Sequence, residues 1–149
     1  MDLPYICRLG EQHLDSILLI EGLCFADPWS REAYRYELVQ NSFAHYYGCF
    51  QDECLAGFCG FWKILDEGHI VNVAVHPDFR HQGLGQVLVT HLMTACQAMG
   101  CTDMTLEARE SNKAALALYY KMGFESAGIR PRYYDNQENA IIMWKKLAI

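Results

Sequence analysis

The stretch HIVNVAVHPDFRHQGLGQ, residues 69–86, decides how the chain is read. Its first half is a β-branched apolar run of Ile70, Val71, Val73, Ala74 and Val75, which suits a strand buried on both faces. Pro77 ends that strand, because proline has no N–H for a ladder and biases His76 toward extended geometry. The second half sets Arg80, Gly83 and Gly85 in the order R-x-x-G-x-G ahead of a helical pattern. Without a Cβ, the two glycines let backbone amides approach an anion, and the positive end of the following helix faces the same point. Arg80 adds a forked cationic donor. The stretch reads as a phosphate cradle.

Other glycine loops fit less well. The dinucleotide fingerprint G-x-G-x-x-G needs a third glycine at Leu88, and a Walker loop needs G-x-x-x-x-G-K; the stretch has neither. A plain turn and helix start accounts for the glycines alone, but not for strand, proline, arginine and glycine pair together.

Outward from this stretch, strand and helix patterns alternate. From Leu84 the apolar positions Val87, Leu88, Leu92, Ala95 and Met99 recur at helical spacing, and Gly100 supplies the stop. His91 falls on the same stripe and reads as a hydrogen-bonded packing residue. Residues 104–108 form another strand, reached by a helical crossover that implies parallel pairing with the central strand. Ser111 or Asn112 caps the next helix, where Ala115, Leu118, Tyr119 and Met122 share a face before Gly123. Residues 124–127 and 139–147 read as the last two strands, with the polar segment 130–138 between them as a mobile loop.

On the N-terminal side, residues 5–9 suit a short strand, and 12–22 a helix with Leu14, Ile17, Leu18 and Glu21 on one side. Ser30 is placed to cap a second helix through residue 39, on which Tyr34 and Leu38 share a face. Strand-like runs at 44–50 and 55–64 flank the polar turn Gln51, Asp52, Glu53, which signals a hairpin. A tight turn at Asp66, Glu67 and Gly68 leads into the central strand. The expected fold is α/β: a mixed, mostly antiparallel sheet with a parallel central pair, flanked by helices.

Composition narrows the function. A chain of 149 residues, 52% hydrophobic and 20% charged, reads as one globular domain over residues 1–149. No run approaches the ~20 apolar residues of a membrane span, and residues 1–10 lack a basic-then-apolar export signal. The expectation is a cytoplasmic protein with no membrane partner. A net charge of −6 argues against nucleic-acid binding and favours a basic macromolecular substrate. Seven cysteines without a C-x-x-C pair read as buried free thiols, and six histidines without H-E-x-x-H imply no metal.

The run V-x-P-x-x-R-x-x-G-x-G, residues 75–85, resembles the acetyl-CoA motif of the GCN5-related N-acetyltransferases, the GNAT superfamily. LEARESNKAALALYYKMGF at 106–124, FADPWS at 25–30, and the RYY and AIIM runs near the C-terminus are similar to its RimI-type branch, the ribosomal-protein alanine N-acetyltransferases. The resemblance spans nearly the whole chain. It implies the GNAT acyl-CoA N-acyltransferase fold, acetyl-CoA as co-substrate, and direct attack by a protein's N-terminal amine. The implied acceptor is the N-terminal alanine of the eighteenth small-subunit ribosomal protein. Lysine side chains or a small-molecule amine are the runner-up acceptors, and a non-catalytic acyl-CoA-binding regulator is the rival class.

Acetyl transfer to an amine needs a proton acceptor and a way to discharge the thiolate. Glu107 lies near the C-terminal end of the strand at 104–109, where open α/β sheets place ligands. A carboxylate there can take the amine proton or pair with Arg109 on the same strand face, and position alone leaves these even. The family's L-E-x-R motif implies the base. Tyr119 reads by itself as a core aromatic, whereas the family pattern N-x-x-A-x-x-L-Y, matched by Asn112, Ala115, Leu118 and Tyr119, implies the general acid. Tyr120 sits roughly 100° further around the helix. By the same resemblance Val73, Ala74 and Val75 offer backbone groups to the pantetheine arm and thioester. His81, Gln82, Gly83, Leu84, Gly85 and Gln86, with Arg80, hold the pyrophosphate, and Asn112 also contacts the cofactor. Trp29, Tyr133 and Tyr134 are the candidate acceptor contacts.

Overall fold

A computed structural model describes residues 4–134 and 137–147. Seven strands form one sheet: β1 (Tyr5–Arg8), β2 (Ala44–Gln51), β3 (Cys54–Ile64), β4 (Glu67–Val75), β5 (Asp103–Arg109), β6 (Glu125–Tyr134) and β7 (Glu138–Lys146). Their spatial order is β1-β2-β3-β4-β5-β7-β6, antiparallel throughout except for β4 beside β5. The expected hairpin joins β2 to β3 through Asp52 and Glu53, both at positive φ (51° and 67°), the backbone a two-residue hairpin turn requires.

Helices cover both faces. α1 (Leu14–Cys24) and α2 (Arg31–Arg35) pack on one face, where Leu14, Ile17, Ile20 and Tyr34 meet Tyr46, Phe58 and Ala74. α3 (Leu84–Ala98) and α4 (Lys113–Lys121) cover the other, where Leu88, Leu92 and Tyr119 meet Cys59, Phe61 and Met104. Strand alternation serves both cores at once: Tyr46 and Phe58 go to one, Tyr47 and Cys59 to the other.

The parallel pair is short. β4 and β5 are in register only at Glu67 with Asp103, Gly68 with Met104, and His69 with Thr105. Beyond His69 the two strands part, and β5 runs on beside β7 as far as Arg109 opposite Ala140. β4 is also bulged there, because Gly60 pairs with Asn72 and Phe61 with Ile70, which leaves Val71 unmatched. Such a bulge re-aims the following side chains, and it turns Asn72 toward α1.

Several sequence expectations need correction. Residues 130–134 are not a loop: β6 extends to Tyr134, and its partner β7 begins at Glu138. The polar side chains belong to an edge strand, whose outer face meets water, so polarity did not mark a break. Arg132 at φ 53° sits in the irregularity between Arg130 and Tyr134. The second helix stops at Arg35 and continues as a wider turn over Tyr36–Gln40. On α1 the inward position is Ile20 rather than Leu18, and on α3 Val87 is exposed while Val89 and Cys96 turn inward. The turn before β4 is at Leu65 and Asp66, so Glu67 and Gly68 already belong to the strand.

Candidate active site

Where β4 and β5 part, the sheet is open from face to face, and a cavity of about 530 Å³ fills the fork. Trp29, Val73, Glu107, Asn112, Tyr119, Tyr133 and Tyr134, all expected at the site, line it. Residues from opposite faces meet through this opening. Met104, Leu106 and Ala108 of β5 point into the α3/α4 core, so the alternating Glu107 points to the α1/α2 side. Tyr119 reaches the same cavity from α4 on the other side.

Glu107 is held by two cationic or cation-forming groups. His69 Nε2 is 2.5 Å from its Oε2, and Arg130 Nε is 3.4 Å from its Oε1. The hydrogen bond from His69 is the main reason its carboxyl lies below the usual carboxylate range; burial opposes this, and the charge of Arg130 adds to it. The carboxylate is ionised at neutral pH. Arg109, the alternative partner weighed from sequence, contacts Glu138 at 3.1 Å and lies over the Tyr134 ring.

Tyr119 is buried, and its ring meets Phe124 edge-on. Burial pushes its phenol upward, so the hydroxyl keeps its proton. Asn112 caps α4 by accepting a hydrogen bond from Ala115 N at 3.1 Å. Tyr133 and Tyr134 meet edge-on at the mouth, and burial pushes the Tyr134 phenol up to about 12.

The expected phosphate cradle is the N-terminal turn of α3. Gly83 takes φ 79° and caps the helix without a side chain, so no capping side chain fills the first amides of Leu84, Gly85 and Gln86. Gly85 also serves packing: a Cβ there would lie 3.1 Å from Leu118, so its absence lets α3 and α4 approach. Arg80 turns back rather than into the cradle. Its Nε donates to Val75 O at 3.2 Å and its Nη2 meets Cys24 Sγ, while that thiol also donates to Val75 O. Val75's carbonyl is thereby already engaged. His76 N–H donates to Ala56 of β3, so alternation turns the backbone of Val73 away from β3 toward the fork and that of Ala74 toward β3.

A uncapped helix start, a free strand edge and a cavity between them fit a phosphate-bearing, extended acyl carrier. The Acetyltransferase (GNAT) family pattern matches residues 14–124. The chain belongs to the GNAT acetyltransferase family. It is an acetyl-CoA-dependent N-acetyltransferase. A GNAT relative from Escherichia coli K12, the ribosomal protein bS18-alanine N-acetyltransferase, is 39% identical over 143 residues, covering 93% of this chain and 94% of its own. A Bacillus subtilis relative, for which the same activity is only proposed by name, is 39% identical over 134 residues, 89% of each chain. The crystal structure of the E. coli ribosomal-protein-S18-alanine N-acetyltransferase superposes with a TM-score of 0.91 at 35% identity, covering 99% of this chain and 96% of that one.

Around this candidate site of the GNAT chain, sequence reasoning missed three residues. The sequence sets Glu21 on the same side of its helix as Leu14 and Ile17 and gives it no role. It is a cavity-lining carboxylate that accepts from Tyr34 OH (2.6 Å) and Trp29 N (3.1 Å), with Asn72 Nδ2 at 3.5 Å. Burial raises its carboxyl despite those donors. Asn72 and His69 are the other two; the one available signal was a polar residue interrupting the apolar run. Among the described residues, no group of three or more His, Cys, Asp or Glu side chains is arranged to hold a metal, and no helix is long and apolar enough to cross a membrane.

Proposed function

We propose that this acetyltransferase acts on the N-terminal α-amine of a protein, with the alanine terminus of ribosomal protein bS18 as its acceptor and the cytoplasm as its place of work. The observation that carries the reading is the meeting of an ionised carboxylate, Glu107, and a protonated phenol, Tyr119, in one cavity through a fork in the sheet. Acetyl-CoA supplies an acyl group activated as a thioester. The first turn of α3 holds its pyrophosphate on backbone amides, and the open edge of β4 at Val73 aligns its arm along the fork.

Glu107 takes a proton from the incoming ammonium or amine, and Tyr119 gives its proton to the departing sulfur. The acceptor enters from the α1/α2 side between Trp29 and the Tyr133–Tyr134 pair, which present aromatic surface and hydroxyls to a short extended peptide. Trp29 is fixed for this by its backbone bond to Glu21 and by the Tyr34 ring 5.1 Å away. The acidic chain, net −6, suits a basic ribosomal protein. Mass spectrometry of a bS18 N-terminal peptide incubated with acetyl-CoA and the protein tests the proposal. One acetyl group on the α-amine supports it, and acetylation confined to lysine overturns the acceptor assignment.

A further inference from the structure

We infer that His69 is a positioning residue for Glu107, holding its carboxylate aimed across the fork so that it meets the acceptor amine in one orientation. The inference rests on the reading of Glu107 as proton acceptor and deepens it. His69 is the last residue of the parallel ladder, paired with Thr105, and Glu107 stands two residues further along β5. Their side chains therefore bridge the two strands at the point where they separate.

The direction of the bond follows from the carboxylate. An ionised carboxylate only accepts, so the Nε2 of His69 carries the hydrogen, and the bond is charge-assisted. Arg130, the other holder, has its side chain 55% exposed at the longer contact, against 30% for His69. A cation that open to water restrains little. The His69 ring is in turn braced by Trp62 of β3, edge-on at 5.9 Å. Trp62 is itself tied by its Nε1–H to Glu37 at 2.7 Å. Among the described residues the ring makes no other hydrogen bond, so packing sets its angle and Glu107 receives its donor. Among the described residues, the groups facing the pair are Arg130 and Tyr134 from β6, the Trp62 ring from β3 and, across the cavity, Glu21 from α1.

A glutamate without this holder retains its charge but not its aim, and a displacement of about 1 Å in a reacting group lowers rate by up to ~10²-fold. Steady-state kinetics over a pH series test the role, using His69→Phe, His69→Asn, His69→Gln and Glu107→Gln with acetyl-CoA and an alanine-starting peptide. Phe fills the ring's space without a donor, Asn is too short to reach, and Gln places an amide N–H near the position of Nε2. We expect kcat to fall by roughly 10- to 100-fold in the Phe and Asn variants, KM for acetyl-CoA to hold, and Gln to recover most of the loss. Without the donor, the Glu107 carboxyl rises, so the acid limb of the kcat profile moves to higher pH in the Phe and Asn variants.

Wild-type kcat and an unmoved acid limb in these variants, with Glu107→Gln inactive, overturn the inference and leave the base assignment standing. Equal rates for the Asn and Gln variants also overturn it, even if the Phe variant does not fold. Full activity in Glu107→Gln removes the base assignment and this inference with it.

Discussion

Tyr119 and Tyr120 are adjacent in sequence and separate in the fold: Tyr119 is 7% exposed against Phe124 at the fork, and Tyr120 is 52% exposed on the outer side of α4. The helix turns about 100° per residue, so only one of the two can face the cavity. Among the described residues the Tyr119 hydroxyl makes no hydrogen bond, which leaves it free for a leaving group.

The separation predicts an asymmetric pair of variants. Tyr119→Phe keeps the ring and its packing, so the fold persists while turnover falls by roughly 10²-fold, the lower end for a general acid. Tyr120→Phe leaves turnover unchanged. Steady-state rates of the two purified variants check this, and the reverse order would show that α4 presents the other tyrosine.

Glu107→Gln is expected to lower turnover by ~10²–10⁴-fold while leaving acetyl-CoA affinity intact, because the carboxylate stands at the fork and the cradle lies at α3. Calorimetric titration beside a rate assay separates the two effects.

Acetyl-CoA is expected to stabilise the fold. At a concentration about 100 times Kd the gain is ~2.7 kcal/mol, or a rise in Tm of roughly 5–11 °C for a chain of this size. NAD and ATP at the same concentration should shift Tm much less, since neither extends along β4. Gly83→Ala should cost about 1–2 kcal/mol on its own, because φ 79° places a Cβ in the left-handed region, although nothing lies near it. Melting curves with and without acetyl-CoA read both effects.

Two carboxylates contribute to stability with opposite pH signs. Burial raises Glu21 above its unfolded value of ~4.3, so its ionisation opposes folding as pH rises through the raised value. Glu107 is depressed, chiefly by His69, so its contribution is present above ~4.3 and is lost as pH falls through the depressed value. The stability of Glu21→Gln relative to wild type should therefore increase from pH 4 to 8. That of Glu107→Gln should instead increase as pH falls below ~4.3 toward the depressed value. Urea unfolding at several pH values gives both slopes.

Much of the fold was legible because it is written locally. Strand-like and β-branched apolar runs marked β2 to β5, glycine and proline marked the turn into α3, and Ser30 and the Ser111–Asn112 pair announced the helix starts that Ser30 and Asn112 cap. The proposed base and acid were legible only through family patterns, since a strand glutamate and a helix-face tyrosine look structural by themselves. What stayed hidden depends on how strands meet at a distance. The ladder between β4 and β5 ends at His69 because the two strands diverge, and nothing in either strand's own residues sets that length. The bulge at Val71, the pairing of His69 with Glu107 and the place of Glu21 in the cavity all lie at that divergence. Residues 130–134 were misread for a related reason, because an edge strand with one wet face carries the composition of a loop. The expected loop also included residues 135 and 136, which lie outside the described residues.

The acceptor assignment has a chemical basis that one competition experiment reaches directly. An α-amine has a pKa of ~7.7–8.0 and a lysine ~10.4, so near neutrality the α-amine is in its nucleophilic form several hundred times more often. In the proposed mechanism a single ionised carboxylate aimed by His69 suffices for the first, whereas lysine asks for stronger desolvation or a second base. The measurement is the initial rate of acetylation, read by mass spectrometry, of two peptides at neutral pH. One is the alanine-starting bS18 sequence with a free α-amine; the other is the same sequence with its terminus blocked and an internal lysine. The account predicts acetylation of the first at its α-amine at a rate far above that of the second. Equal rates on the two peptides, or modification of lysine alone, would contradict it.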